Sequence, residues 1–379
     1  MFSRGLVFWR KMERPDRIFG RIVRRQGWYA WLGWSLMPVG WLYGLLASVR
    51  RKWYESGNRQ IRLPVPVISV GNIEVGGTGK TPVTIWLANR IAGMGYSTAV
   101  VARNFGRRKS ACRVRLDSDE VRKDFTDEVL LLAESLLGRS SVYAGRSKTE
   151  AAIKAYRGER PDIIIVDDGF QHLRLHRSIE LVVLDFASPF GQGGIIPSGT
   201  LREFPSVISR ADHIWINRIP SGMSAEWIKR RLIDYNWKAP VQFSRVKHTG
   251  VRLVGGGSLA KIPASTLLAF CGIGRPDSFR NSLEEVGIRL EGLEVFPDHH
   301  SYTPEDVEHL HRLMERTGAS GLITTAKDAV KLYGLPGSSD IMFQTMNLEV
   351  RGSVPELMED IERAIESGRK RKEKDPDRN

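Results

Sequence analysis

Cysteine is nearly absent from this chain of 379 residues, which holds only Cys112 and Cys271. They stand far apart with no His or Cys at ligand spacing, which excludes a disulfide framework and a zinc site. A reducing cytosolic face is the expected setting. Charge is missing from one long stretch: Gln26 to Val49 has no charged residue, although Arg24-Arg25 precede it and Arg50-Arg51-Lys52 follow. No small-x-small site follows this late-starting run, which argues against a cleaved signal peptide. Acidic residues are also in deficit, with 43 Asp+Glu against 57 Lys+Arg and a formal charge of +14. That balance favours an anionic partner: nucleic acid, an acidic membrane or a phosphorylated substrate.

The uncharged stretch separates these partners. Its length is close to the roughly 20 apolar residues that span a bilayer, but Pro38, several glycines and four tryptophans dilute it. Tryptophan suits the lipid interface and flanking Arg/Lys suit anionic headgroups, so a helix lying on the bilayer and one spanning it both fit. The aromatic residues cluster in this collar rather than among the basic residues, so nucleic acid is not the expected partner. No obligate protein partner is evident.

Beyond the collar, short apolar runs at 65–70, 97–102, 161–167, 179–185 and 213–217 alternate with helix-like segments. Strands of this kind predict a parallel sheet covered on both faces. Two alternating segments around His248-Thr249-Gly250 read as a hairpin or paired linker, and Gly255-Gly256-Gly257 as a break. After it, "STLLAFCGIGRPDSF" and "GLITTAKDAVKL" each read as a strand running into a helix. The expected divisions are an N-terminal membrane-associated segment (1–52), a nucleotide-binding domain (53–240), a two-stranded linker (241–257), a smaller α/β domain (258–365) and a charged, solvated tail (366–379).

The stretch "VGNIEVGGTGKTP" has a strand before it and a helix start in Lys80-Thr81. The usual phosphate-loop pattern places glycine where this chain has Glu74, but the Gly76–Thr81 core is intact. Backbone N–H groups of such a loop surround phosphate oxygens, the lysine neutralises β/γ charge and the Thr hydroxyl ligates Mg²⁺. The expected nucleotide-binding residues are Glu74, Val75, Gly76, Gly77, Thr78, Gly79, Lys80 and Thr81. "IIIVDDGFQH" places Asp167 and Asp168 at the C-terminal edge of a parallel strand, where one carboxylate holds the metal and the other is free for another role. A phosphoryl acceptor needs a base, for which Asp127 in "FTDEVLLLAESL" and His299-His300 in "FPDHHSYTPED" are candidates. Each also has a bland reading: Thr126 and the acidic pair suit a helix first turn, and Thr303-Pro304 a helix start behind loop histidines.

In this order, "SVGNIEVGGTGKTP", "DEVLLLA", "VDDGFQH", "PSGTLRE", "NRIP", "FCGIGRPDSF", "FPDHHSYT" and "TTAKDAVKL" resemble the tetraacyldisaccharide 4'-kinase (lipid A 4'-kinase) family, whose phosphate loop also lacks the first glycine. The resemblance implies ATP- and Mg²⁺-dependent transfer of the γ-phosphate to the 4'-hydroxyl of an acylated glucosamine disaccharide 1-phosphate, at the cytoplasmic face of the inner membrane. It implies an α/β fold: a P-loop NTPase-type parallel-sheet domain and a smaller α/β domain joined by a two-stranded linker, with an N-terminal membrane-associated helix. It also implies that Asp127 and His299 pair as catalytic residues with Lys80, that Thr81, Asp167 and Asp168 hold the metal, and that Arg103, Gln171, His172 and Arg202 line the acceptor side. Several positions depart from the family pattern. Asn104 and Phe105 stand where glycine and tyrosine are common, Thr126 and Val129 where glycine and proline are, and Ala326 where glutamate is. A membrane-associated switch or partitioning ATPase is the competing class, but Val75 stands where such loops carry lysine, and "TAKD" does not meet the N/T-K-x-D pattern.

Overall fold

A computed structural model describes residues 15–27, 29–56, 59–106, 108, 110–116, 122–220, 222–235, 238–259, 266–352 and 354–372. Among the described residues thirteen strands form one sheet: β1 (Val67–Gly71), β2 (Thr98–Arg103), β3 (Cys112–Arg113), β4 (Ser141–Gly145), β5 (Ile163–Asp167), β6 (Ile179–Asp185), β7 (His213–Asn217), β8 (Val241–Leu253), β9 (Ser258–Leu259), β10 (Leu267–Cys271), β11 (Leu290–Val295), β12 (Leu322–Thr325) and β13 (Met342–Arg351). Their order is β11-β10-β12-β13-β8-β7-β6-β1-β5-β2-β4-β3, with β9 on β8.

From β4 to β7 the sheet is parallel, as the apolar runs predict. The period of two explains why these strands carry no polar face. Ile68, Ile163 and Ile165 pack under the helices Lys80–Gly93 and Asp127–Ser135, while Val67, Ile164 and Val166 pack on the other face against Ala151, Ala152 and Ala155 of helix Lys148–Glu159. A second parallel set, β11-β10-β12-β13, is likewise covered twice: Phe270 and Leu322 join Val307 and Leu310 on one face, and Leu267, Ala269 and Cys271 join Phe279 and Leu283 on the other.

The join between the two sets corrects one sequence expectation. No hairpin forms around His248–Gly250; β8 runs through it and pairs antiparallel with β13, from Leu253/Met342 to Phe243/Arg351. A register shift at Thr345/Met346 lies opposite Gly250, whose φ of +147° lets the strand continue without turning back. The ribbon's partner strand therefore comes from 342–351, outside the expected 241–257 linker. The expected tail also changes. Helix Pro355–Lys372 passes the 365/366 boundary and returns Leu357, Ile361 and Ile365 to the cluster of Ile68 and Leu87, so this helix packs on the first parallel set. Residues 373–379 of that tail, and 1–14 of the N-terminal segment, lie outside the described residues.

The uncharged N-terminal stretch forms helices Tyr29–Ser35 and Met37–Glu55, and Tyr29–Glu55 is long and apolar enough to cross a membrane. Its small residues face inward: a side chain on Gly40 would meet the Ile195 carbonyl, and one on Gly44 would meet Ile195 and Phe204. Its large ones face outward, with Trp31, Trp41, Leu42, Leu45 and Leu46 all more than half exposed. A core helix would have the opposite arrangement.

Candidate active site

The loop after β1 is closed by contacts from β7. Gly79 caps helix Lys80–Gly93 at φ +85°, and a Cβ there would lie 2.1 Å from Asn217 Nδ2. Only glycine combines that conformation with that approach. Asn217 Nδ2 donates to the carbonyls of Thr78 (3.3 Å) and Gly79 (3.4 Å), and Asn72 Nδ2 donates to Thr78 Oγ1 (3.1 Å). Asn217 is itself held, because Trp215 Nε1 donates to Ser244 Oγ and Ser244 Oγ donates to Asn217 Oδ1. Arg218 reaches the Gly77 carbonyl and pairs with Asp185 at 2.7 Å.

Glu74, the residue out of pattern, is buried. Its backbone bridges Leu201, Val75 N–H donates to the Thr200 carbonyl (2.7 Å), and Thr200 Oγ1 donates to Glu74 Oε2 (3.3 Å). Burial and then the charge of Asp185 push its carboxyl up to about 7, against opposing pulls from Thr200, Arg275 and Lys80. Glu74 thus anchors the loop to the 199–203 segment. Gly76, two residues on, adopts φ +114°, a backbone conformation that glycine accommodates without strain.

The two aspartates at the end of β5 have different partners. Asp167 is buried and faces hydroxyls: Thr84 Oγ1 donates to its Oδ1 at 2.7 Å and Thr81 Oγ1 to its Oδ2 at 3.5 Å. Desolvation holds its carboxyl above the ordinary range. Asp168 is surrounded by cations. Lys80 Nζ lies 3.4 Å from it, Arg202 Nη1 contacts both its oxygens (3.1 and 3.2 Å), and Lys148 Nζ donates to its backbone carbonyl. Burial opposes ionisation, but Lys80, Lys148 and Arg202 outweigh it and hold Asp168 well below the usual carboxylate range. Arg202 also donates to Gln171 Oε1, while Gln171 Nε2 donates to the Asn72 carbonyl, so Gln171 ties Arg202 to the phosphate loop.

A second group joins Asp127, on a helix of the first parallel set, to residues of the second set. Asp127, buried at the start of its helix, meets His299 Nδ1 at 3.0 and 3.1 Å, Lys327 Nζ at 3.5 Å and Lys331 Nζ at 3.9 Å. Burial would raise its carboxyl, but the His299 hydrogen bond and the lysine charge prevail and lower it. The same hydrogen bond raises the His299 imidazole, against partial burial. His300 turns away, bonding Asp306 at 2.9 Å and stacking on Phe296, which makes it a loop residue. Thr303 caps the helix behind it, as expected, and Asp306 completes a capping box. Asp168, Arg218 and His299 all have φ between +49° and +61°, a conformation that costs side chains about 1–3 kcal/mol when the surroundings enforce it and that clusters at functional sites.

The structure thus brings together Asp127 with His299, and Lys80 with Asp168, Gln171 and Arg202. No hydrogen bond or ion pair joins the two groups among the described residues. His172 Nε2 lies 2.7 Å from Thr149 Oγ1, and burial, with Lys148 next, lowers its imidazole to about 4. Arg103 is exposed, its guanidinium 4.5 Å over Phe105. Lys148, Lys327 and Lys331 are additions to the residues read from sequence. Lys327 lies in the short helix Ala326–Ala329 and Lys331 in the turn after it, so their approach to Asp127 had no helical-face signal in the sequence. Lys148 carried none either, since a lysine after a Ser cap reads as surface.

The model of the family described as tetraacyldisaccharide-1-P 4'-kinase matches residues 32–366. The tetraacyldisaccharide 4'-kinase of Bdellovibrio bacteriovorus is 34% identical over 327 residues, covering 84% of this chain and 94% of its own. That of Anaeromyxobacter sp. (strain Fw109-5) is 36% identical over 298 residues, covering 76% and 79%. The crystal structure of the "apo" form of LpxK from Aquifex aeolicus in complex with ATP superposes with a TM-score of 0.71 at 26% identity, covering 88% of this chain and 99% of that one.

Proposed function

The chain belongs to the tetraacyldisaccharide-1-P 4'-kinase family, and from that premise we propose that it transfers the γ-phosphate of ATP to the 4'-hydroxyl of a tetraacyldisaccharide 1-phosphate. The observation that carries this reading is the Asp127–His299 pair, a proton acceptor assembled from two distant segments in a molecule that also has a phosphate loop. A loop that only hydrolysed nucleotide to change partners would have no use for it.

In this reading the backbone amides of Gly76–Thr81 hold the β/γ-phosphates at the N-terminus of helix Lys80–Gly93, with Lys80 neutralising charge as the phosphoryl group leaves. Asp168 and Gln171 act through their partners, the first aligning Lys80 and Arg202 and the second fixing Arg202 to the loop. The metal ligands narrow to Thr81 and Asp167, because Asp168 is already neutralised by cations. A hydroxyl and a buried carboxylate are oxygen donors of the kind Mg²⁺ prefers, and a cation would relieve the desolvated Asp167. Mg²⁺ bound there would supply charge neutralisation on the phosphate oxygens.

The acceptor proton passes into the Asp127–His299 pair, which titrates as a unit. Lys327 and Lys331 keep Asp127 ionised for that role. Exposed Arg103 and the cationic surroundings of the neutral His172 suit a substrate with its own phosphate. The outward apolar face of Met37–Glu55, with Arg50-Arg51-Lys52 at its end, supports attachment to an anionic membrane surface with the glycine face kept on the protein.

The test supplies γ-labelled ATP, Mg²⁺ and tetraacyldisaccharide 1-phosphate in mixed micelles to the purified full chain. Label at the 4'-position is expected. Folded protein that transfers none, or that hydrolyses ATP at the same rate without acceptor, defeats the proposal.

A further inference from the structure

Asn104, which stands where the family pattern commonly has glycine, follows the last residue of β2 and is fully buried, although Phe105 and Arg108 after it are exposed. Its side chain uses all four hydrogen-bonding positions of an amide. Oδ1 accepts from the N–H groups of Gly106 and Thr126, both at 3.1 Å, and Nδ2 donates to the carbonyls of Asp124 (3.0 Å) and Arg108 (3.3 Å). Two donors at one end and two acceptors at the other permit only one orientation of the amide. Its backbone N–H donates to Gly145 on β4 at 2.9 Å, fixing the residue to the sheet edge.

Thr126 is the cap of the helix whose first residue is Asp127, and its own side chain makes no capping bond. The N-terminus of that helix is therefore held from outside, through the Thr126 N–H, by Asn104. A glycine at 104 has no atoms to make this connection. We infer that Asn104 is a positioning residue: it fixes the start of helix Asp127–Ser135 against the sheet so that the Asp127 carboxylate meets His299 Nδ1. The inference rests on the proposed role of the Asp127–His299 pair. It differs from general loop support, because the Oδ1 bond to the Thr126 N–H reaches the residue beside Asp127, whereas the Nδ2 bonds reach the carbonyls of Arg108 and Asp124.

Asn104→Ala and Asn104→Asp separate these two roles. Aspartate keeps the acceptor toward Thr126 N–H but loses the donors toward the two carbonyls. The readouts on the full chain in micelles are kcat, KM for ATP, thermal midpoint, and the titration midpoint of His299 by NMR with labelled histidine, assigned from Asp127→Ala and His299→Gln spectra. Both variants should melt lower than wild type. Only Asn104→Ala should also shift His299 downward toward its midpoint in Asp127→Ala and lose ~10-fold in kcat with KM for ATP held, as expected for a displaced catalytic group. A wild-type His299 midpoint in Asn104→Ala, or a larger His299 shift in Asn104→Asp than in Asn104→Ala, overturns the inference. Rapid exchange of the Thr126 amide in the wild-type chain overturns it without any variant. If Asp127→Ala keeps full transfer, the proposed role of the pair fails, while the His299 midpoint still decides whether Asn104 sets the contact.

Discussion

His299 Nδ1 lies 3.0 and 3.1 Å from the two carboxylate oxygens of Asp127, a residue 172 positions earlier in the chain. The contact lowers the carboxyl and raises the imidazole, so each group stabilises the charged form of the other.

Removing either partner should slow transfer without loosening ATP. Asp127→Ala and His299→Ala are expected to lose about 10²–10⁴-fold in kcat. Since the phosphate loop is untouched, KM for ATP should stay near wild type, and the double variant should lose little more than either single one. Steady-state kinetics with saturating acceptor checks this, and additive losses would show that the two residues do not act as a unit.

The pair also predicts a pH dependence of stability. His299 has a raised folded value, so its contribution is complete below the ordinary 6.5 and fades as pH rises through that raised value. Asp127, with a lowered value, contributes fully above the ordinary 3.8 and loses its part as pH falls through the folded one. Thermal melts of wild type and His299→Gln should therefore differ most between these limits, near pH 5, with the difference shrinking as pH rises above 6.5. A difference that widens toward pH 9 would contradict the assignment.

Glu74 has the opposite sign. Its carboxyl is raised from 4.5 to about 7 by burial, so ionising it destabilises the fold as pH rises through that window. Glu74→Gln should gain thermal stability relative to wild type at pH 8 and show less gain, or none, at pH 5. Equal effects at the two pH values would mean that Glu74 ionises freely in the folded protein.

Gly79→Ala should damage the nucleotide loop. The added methyl meets Asn217 Nδ2, and the φ of +85° costs a side chain about 1–3 kcal/mol. We expect a lower melting temperature and at least tenfold weaker ATP binding by calorimetry. Wild-type affinity in this variant would show that the Asn217 contact does not shape the loop.

The N-terminal helix makes a separable prediction. Leu42, Leu45 and Leu46 are each more than half exposed, and replacing all three with serine removes apolar area only from the outward face. Flotation with anionic vesicles should fall sharply while the melting temperature of the protein holds. Undiminished flotation would assign membrane binding to another surface.

The phosphate loop, the apolar strands and the Thr303 helix cap are legible because each rests on residues within a few positions of one another. Glycine conformations, period-two burial and side-chain caps are local consequences of covalent geometry. Of the two readings of the segment around His248–Gly250, the paired linker holds and the local hairpin does not, for the complementary reason: strand pairing is decided by which distant segment offers unpaired backbone, and residues 342–351 do so. The expectation of a solvated tail at 366–379 misses that helix Pro355–Lys372 continues through 366–372, because charged residues dominate there and the apolar face that packs the helix, Leu357, Ile361 and Ile365, lies before that boundary.

By itself, then, the sequence determined that this chain builds a parallel α/β sheet with an anion-binding loop at a strand end and an uncharged aromatic collar. The tertiary structure alone decided which polar groups share space. It set Asp167 among hydroxyls and the adjacent Asp168 among cations, placed Lys327 and Lys331 beside Asp127, and put Asn104 behind the helix that carries it. The reason is physical: a side chain's charge state and orientation follow from the dielectric and partners around it, and those partners arrive from residues that only folding brings within hydrogen-bond reach.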